Sequence, residues 1–250
     1  MFRNRRVSAA VLCAMAIVAL MGYFVSGIGA DAPYYAVSAG ESGGGYALRK
    51  QPATVVIDAG HGGVDGGASA PSGRLESAYN LEIALRTELF LRFLGMPTVM
   101  TRTDDTSLHD PDALTLRAKK QTDLRNRAAL ANSVPNAVML SIHQNKFTDS
   151  RYYGAQVFSN KRPESVALAK HIQDSLRLRI DPENRREPKT LDVILLSETD
   201  IPGALVECGF LSNAAEEAKL RDAEYQTKLA AVLSITMTEW VIMTENETKQ

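Results

Sequence analysis

AVMLSIHQN, residues 137–145, is the stretch from which the fold is read. Ala137–Ile142 is apolar except for Ser141, and it stops abruptly at His143, Gln144 and Asn145. A strand with one wet face alternates apolar and polar residues. A run that is apolar on both faces is buried on both, as in a parallel sheet covered by helices. Ala204–Val206 has the same character and stops at Glu207; Thr54–Ile57 stops at Asp58, Ala59, Gly60 and His61. Outward from these, Thr98–Thr101, Gly154–Phe158 and Val193–Leu196 read as further strands. Between them lie stretches with helical spacing. Glu76–Leu94 carries Leu81, Ala84, Leu85, Leu89 and Leu91 and is stopped by Gly95–Met96–Pro97. Leu114–Ala131 is basic and amphipathic. Ser165–Leu178 has Val166, Ala169, Ile172 and Leu176 as its expected inner face, and Tyr225–Ile242 has Leu229, Val232, Leu233, Thr236 and Trp240. Strands separated by helices predict an α/β fold, a single domain with a central, mostly parallel sheet flanked by helices.

The N-terminus belongs to a different class of segment. Arg3, Arg5 and Arg6 precede Val7–Ala30, which is almost entirely apolar and uncharged. This order suits a signal peptide or a retained membrane anchor, and the run is long enough to cross a hydrocarbon core of ~30 Å as a helix. Positive charge before the span places the downstream residues outside the cytoplasmic membrane. Residues 31–50, rich in glycine and serine, read as a flexible tether. The expected division is a membrane segment over 1–30, a tether over 31–50, a globular domain over 51–243 and a frayed tail over 244–250. The first 30 residues hold three arginines and no acid, so the remainder is mildly acidic. That excludes the strong positive field of a non-specific nucleic-acid binder. Cys13 lies in the apolar run and Cys208 far downstream, so a disulfide between them is not expected.

Open α/β sheets collect ligands at the carboxyl ends of their strands. His61, His143 and Glu207 all fall there, and Glu76 comes after the loop Asp65–Leu75, at the start of a helix. Two imidazoles and a carboxylate suit a catalytic zinc ion, which typically takes three protein ligands and keeps one position open. His61, Glu76 and His143 supply such a set. Taken singly, each residue has a plainer reading: a lone histidine is more often a surface or satisfied core residue, and Glu76 also favours a helix N-terminus through the dipole. His109 and His171 read as structural or solvated. Glu207, directly after a buried strand, needs a partner or a task. Cys208 points opposite to Glu207 on an extended strand and reads as a small buried hydrophobe.

VVIDAGHGG (55–63), LESAYNLEIA (75–84), LSIHQN (140–145) and PGALVECGFLSN (202–213), in this order, resemble the blocks of the zinc-dependent N-acetylmuramoyl-L-alanine amidases; TRTDD (101–105) and RAALAN (127–132) also resemble family segments. The resemblance covers about Thr54 to Trp240. It implies one Zn2+ ion held by His61, Glu76 and His143, with Glu207 as the catalytic carboxylate. The implied substrate is peptidoglycan, cut at the amide between the lactyl group of N-acetylmuramic acid and L-alanine. Ser77, Gln144 and Cys208 depart from the usual pattern without removing a ligand. The compact plan and GALVECGFLSN look most like the spore-cortex amidases, which act in muramic δ-lactam formation and germination beside a muramic acid deacetylase. The implied setting is the outer face of the cytoplasmic membrane or the cell wall, with the forespore envelope as its spore counterpart. A general autolysin, a zinc wall peptidase or a non-catalytic wall-binding protein are the competing readings. Asn145, Arg185 and Arg186 are candidate substrate-binding residues. The two arginines sit in a basic loop that suits stem-peptide carboxylates but reads equally well as a solvated turn.

Overall fold

The structure, a computed structural model, describes residues 52–247. The expected membrane segment, the tether and Cys13 lie outside the described residues. Among the described residues no helix is long and apolar enough to cross a membrane.

In chain order the elements are β1 (Thr54–Ala59), α1 (Glu76–Phe93), β2 (Thr98–Met100), α2 (Leu116–Ser133), β3 (Ala137–Asn145), β4 (Gln156–Ser159), α3 (Pro163–Arg179), β5 (Lys189–Thr190), α4 (Ile194–Ser197), β6 (Gly203–Phe210), α5 (Ala214–Arg221) and α6 (Ala223–Glu247). Among the described residues six strands form one sheet in the order β2-β1-β3-β6-β4-β5. β1 pairs parallel with β2 and β3, β3 parallel with β6, and β4 parallel with β5. β4 runs antiparallel to β6. The expectation of a mostly parallel sheet flanked by helices therefore holds.

β3 is central and solidly apolar because helices cover both of its faces. On one face Leu140 and Ile142 pack with Ile83 of α1, Ile172 of α3 and Leu233 of α6. On the other, Met139 packs with Ala128 and Ala131 of α2 and Leu195 and Leu196 of α4. Thr115 caps α2 by accepting from the Ala118 amide, and the Asn213 side chain caps α5 by accepting from the amides of Ala215 and Glu216.

Several sequence expectations are corrected. Val193–Leu196 is not a strand: Ile194–Ser197 is one helical turn. A short apolar run does not distinguish strand from helix. The sheet edge is supplied instead by Lys189–Thr190, and the chain then crosses to bury Leu195 and Leu196 on the second face. On α3 the inner face includes Leu168, and Val166 is exposed. On α1, Leu85 and Leu89 face solvent, and the inner face is built from Tyr79, Asn80, Ile83, Ala84, Thr87 and Leu91. α6 continues through Glu247, past Thr244 where fraying was expected. β3 and β6 run further than expected, so His143 and Glu207 lie within strands rather than after them.

Candidate active site

Asp58, Ser141 and His143 alternate with core residues along β1 and β3 and so project from one face of the sheet. Glu207 on β6 is in register with His143 and shares that face. Glu76 arrives from the start of α1. The chain thus brings His61, Glu76 and His143 together: one ligand atom from each lies within 4.8 Å of the others. Glu76 Oε1 stands 2.9 Å from His143 Nδ1 and 3.2 Å from His61 Nε2, and the two rings meet edge to face with centroids 4.9 Å apart.

Each member is held from behind. Glu76 is only 4% exposed, and its carboxylate accepts from the amides of Ala68 at 2.9 Å and Gln144 at 3.2 Å and from the Asn80 side chain. Burial alone would raise its pKa. The hydrogen bonds and charges of His143 and His61 outweigh burial and hold it well below the usual carboxylate range. His61 Nδ1 lies 2.8 Å from Asp65 Oδ2, which leaves Nε2 to face Glu76. Burial would lower the His61 pKa, but Asp65 and Glu76 raise it to about 9. Asp65 in turn pairs with Lys120 Nζ at 2.7 Å.

The loop under His61 is tightly built. His61 has φ of 60°, unusual for a residue with a side chain. Two arginines secure its backbone. Arg127 donates to the carbonyls of Ala59 and His61 and pairs with Asp58 and Asp123, while Arg102 donates to the carbonyls of Ala59, Gly60 and Ser77. Glycine is required twice. A Cβ on Gly60 would collide with the His143 ring, and one on Gly67, at φ +70°, would lie 2.6 Å from Glu76 Oε2.

Glu207 completes the site. Its Oε2 is buried and has no hydrogen-bond partner. Burial raises its pKa to about 7; His143 offsets part of that rise and Glu76 adds to it. An orphaned carboxylate oxygen beside two imidazoles and an ionised carboxylate is a donor set that fits a divalent metal ion with an acid-base group next to it. The Asp65–His61 pair matches the outer carboxylate that commonly orients a ligating histidine.

The other sequence candidates lie around this cluster or away from it. Asn145 ends β3, two residues past His143. Arg186 donates to the Tyr153 carbonyl and to Gln156 Oε1, whereas exposed Arg185 bonds within its own turn to Pro182 and Glu183. His109 pairs with Ser107 and His171 lies beside Glu239, both outside the cluster. Cys208 is buried, and burial pushes its thiol far up, as suits a small hydrophobe. Sequence reasoning assigned no role to Asp58, Asp65, Arg102, Lys120 and Arg127. Asp58, Arg102 and Arg127 lie inside the family-like blocks, where a charged residue among core positions was the available signal.

Comparison with known proteins converges on one family. The family model described as N-acetylmuramoyl-L-alanine amidase matches residues 55–236. The germination-specific N-acetylmuramoyl-L-alanine amidase of Bacillus subtilis is 36% identical over 178 residues, covering 71% of this chain and 75% of the relative. The CwlD amidase of Clostridioides difficile, solved in complex with the GerS lipoprotein, superposes with a TM-score of 0.73 at 37% identity, covering 76% of this chain and 99% of that one. The catalytic domain of CwlV from Bacillus (Paenibacillus) polymyxa var. colistinus gives 0.63 at 31% identity, over 75% of this chain and 97% of that one. With the match spanning β1 to α6 and the His-Glu-His cluster lying inside it, the chain belongs to the N-acetylmuramoyl-L-alanine amidase family and is a peptidoglycan hydrolase.

Proposed function

We propose that the ion is a single Zn2+ held by His61, Glu76 and His143, that Glu207 is the acid-base residue, and that the enzyme acts in spore cortex maturation and germination. The observation that carries the chemistry is the buried, unpartnered Oε2 of Glu207, on the same sheet face as His143 and in register with it. When bound, zinc supplies Lewis acidity toward the scissile carbonyl and the attacking water. Glu207 accepts the water's proton and passes it to the departing alanine nitrogen. Its burial favours the protonated carboxyl, the form that gives the proton to the nitrogen, because desolvation disfavours the charged form. Asp65 holds the His61 ring so that Nε2 faces Glu76, and Arg102 and Arg127 hold the loop beneath it.

Glu207→Gln removes the proton carrier while keeping its shape. Loss of activity by about 10²–10⁴-fold with zinc content intact is expected. Full activity with zinc retained would refute the assignment of Glu207. Mass spectrometry of digested peptidoglycan should show intact stem peptides beginning with L-alanine; fragments cut within the stem would favour a wall peptidase.

The spore role rests on the resemblance to a germination-specific relative. It predicts that cortex made without this chain lacks muramic δ-lactam, with a deacetylase acting on the same muramic residue. The setting would be the outer face of the cytoplasmic membrane or the cell wall, with the forespore envelope as its spore counterpart. One relative is solved with a lipoprotein, so a membrane-tethered companion is a further candidate partner.

A further inference from the structure

Arg186 is a fixed cation without an anion. The neighbouring arginines each have an acidic partner: Arg151 pairs with Asp149, Arg177 with Asp174 and Glu187, and Arg185 with Glu183. Among the described residues no acid pairs with Arg186. Its guanidinium is nonetheless held in one place. Nε donates to the Tyr153 carbonyl at 2.6 Å and Nη1 to Gln156 Oε1 at 3.1 Å. The plane lies over the Phe210 ring at 4.5 Å and beside Tyr152 at 5.6 Å. An arginine laid on aromatic rings and bonded through Nε and Nη1 has already lost its rotamer freedom, and Nη2, at the open end of its fork, keeps both donors for a carboxylate. It opens into a cavity of about 500 Å³ that Tyr152, Tyr153, Asn184, Arg185 and the Arg151–Asp149 pair also line.

The register relates this cavity to the chemistry. Gln156 on β4 is paired directly with Glu207 on β6. Directly opposed residues project from the same face, with Cα atoms about 5 Å apart. Gln156 is buried and spends its Oε1 on Arg186. One strand spacing, one glutamine side chain and one hydrogen bond link Glu207 to the guanidinium, a path on the order of 10 Å that starts on the face carrying His143. A peptide extends about 3.3–3.6 Å per residue, so the side group of the second residue beyond the scissile bond covers that span.

We infer that Arg186 is a specificity-determining residue: its guanidinium receives the free carboxylate borne by the second residue of the stem peptide while the muramoyl–alanine amide lies at Glu207. This rests on the amidase reading above and adds to it a rule of substrate choice. Stems whose second residue is amidated offer a neutral group to an uncompensated cation and bind poorly. Arg185 also lines the cavity, but it is exposed and bonded within its own turn to Pro182 and Glu183, so the discrimination is assigned to Arg186.

The test uses the zinc-loaded full chain in mild detergent and two muropeptides that differ only in a carboxylate or carboxamide at the second stem residue. Wild-type enzyme should favour the carboxylate by about 10- to 100-fold in kcat/KM, mostly through KM, as for a charge-assisted hydrogen bond. Arg186→Gln should cut both substrates at the wild-type carboxamide level, with zinc content unchanged. Arg186→Lys should restore part of the preference, since charge returns without the fork. Equal cleavage of both muropeptides by wild type overturns the inference, and that reading does not depend on any variant folding. So does loss of the preference in Arg185→Gln with its retention in Arg186→Gln. Cleavage of neither muropeptide by the zinc-loaded enzyme overturns the amidase reading itself.

Discussion

Arg127→Met tests whether the loop that carries His61 depends on a buried ion network. The Arg127 side chain is 1% exposed. It makes two ionic hydrogen bonds of 2.8 Å, to Asp58 and Asp123, and two more of 2.8 and 2.7 Å to the carbonyls of Ala59 and His61. Methionine fills much of the same space but satisfies none of these groups. Asp58, fully buried, would keep Thr101 and Ser141 as donors and lose its counter-charge. Removing one partner of a buried pair costs about 3–5 kcal/mol, against about 5–15 kcal/mol for a whole domain. For a domain of this size that lowers Tm by roughly 6–20 °C. Urea unfolding of the metal-free chain reads the cost directly. Metal affinity, measured by chelator competition, should fall on the order of tenfold, because His61 loses the donor beneath its strained backbone. In Asp58→Asn/Arg127→Met no unpaired charge remains at Asp58, so the double variant should recover part of the single variant's loss. A cost below about 1 kcal/mol for Arg127→Met, or strict additivity in the double variant, would refute the reasoning.

Three further outcomes are expected. Burial would raise the Asp58 pKa, but Arg127 and Ser141 hold it down at about 2 against an ordinary 3.8. This contributes about 2 kcal/mol that is present above pH 3.8 and lost as pH falls through about 2. Glu207 has the opposite sign: raised from 4.5 to about 7, it favours the metal-free fold below pH 4.5, and that contribution is lost as pH rises through 7. Chelated protein should therefore lose stability between about pH 4.5 and 7, and Glu207→Gln should flatten that decline in urea titrations across pH; a decline unchanged in the variant would assign it to other groups. Gly67→Ala should weaken zinc binding at least tenfold by chelator competition, since its Cβ would press on Glu76 and His61 at a positive φ. Unaltered affinity would mean that the loop relaxes freely.

The central strands were legible because their apolar runs admit one environment. Ala137–Ile142, buried on both faces, belongs in the middle of a covered sheet, and it lies there between β1 and β6. The edges were not legible. Lys189–Thr190 carries no strand pattern, yet it pairs with β4, and the Leu191 amide beside it donates to the Ser159 carbonyl. Val193–Leu196 looks like a strand by composition, yet α2 and the sheet leave a hollow that one helical turn fills. β4 enters antiparallel to β6, a direction that residue patterning does not encode.

The site divides in the same way. The sequence by itself determined which side chains can bind a metal and where they stop the strands. Imidazoles and carboxylates have few uses at the end of a buried strand, and local periodicity marks such ends. Only the tertiary structure decided that Glu207 stands orphaned beside His143, that Asp65 and Lys120 orient His61, and that Arg186 rather than Arg185 is the unpaired cation. Those properties depend on which charges lie within a few ångströms of one another. Partners far apart along the chain meet only when parallel crossovers bring β1, β3 and β6 side by side.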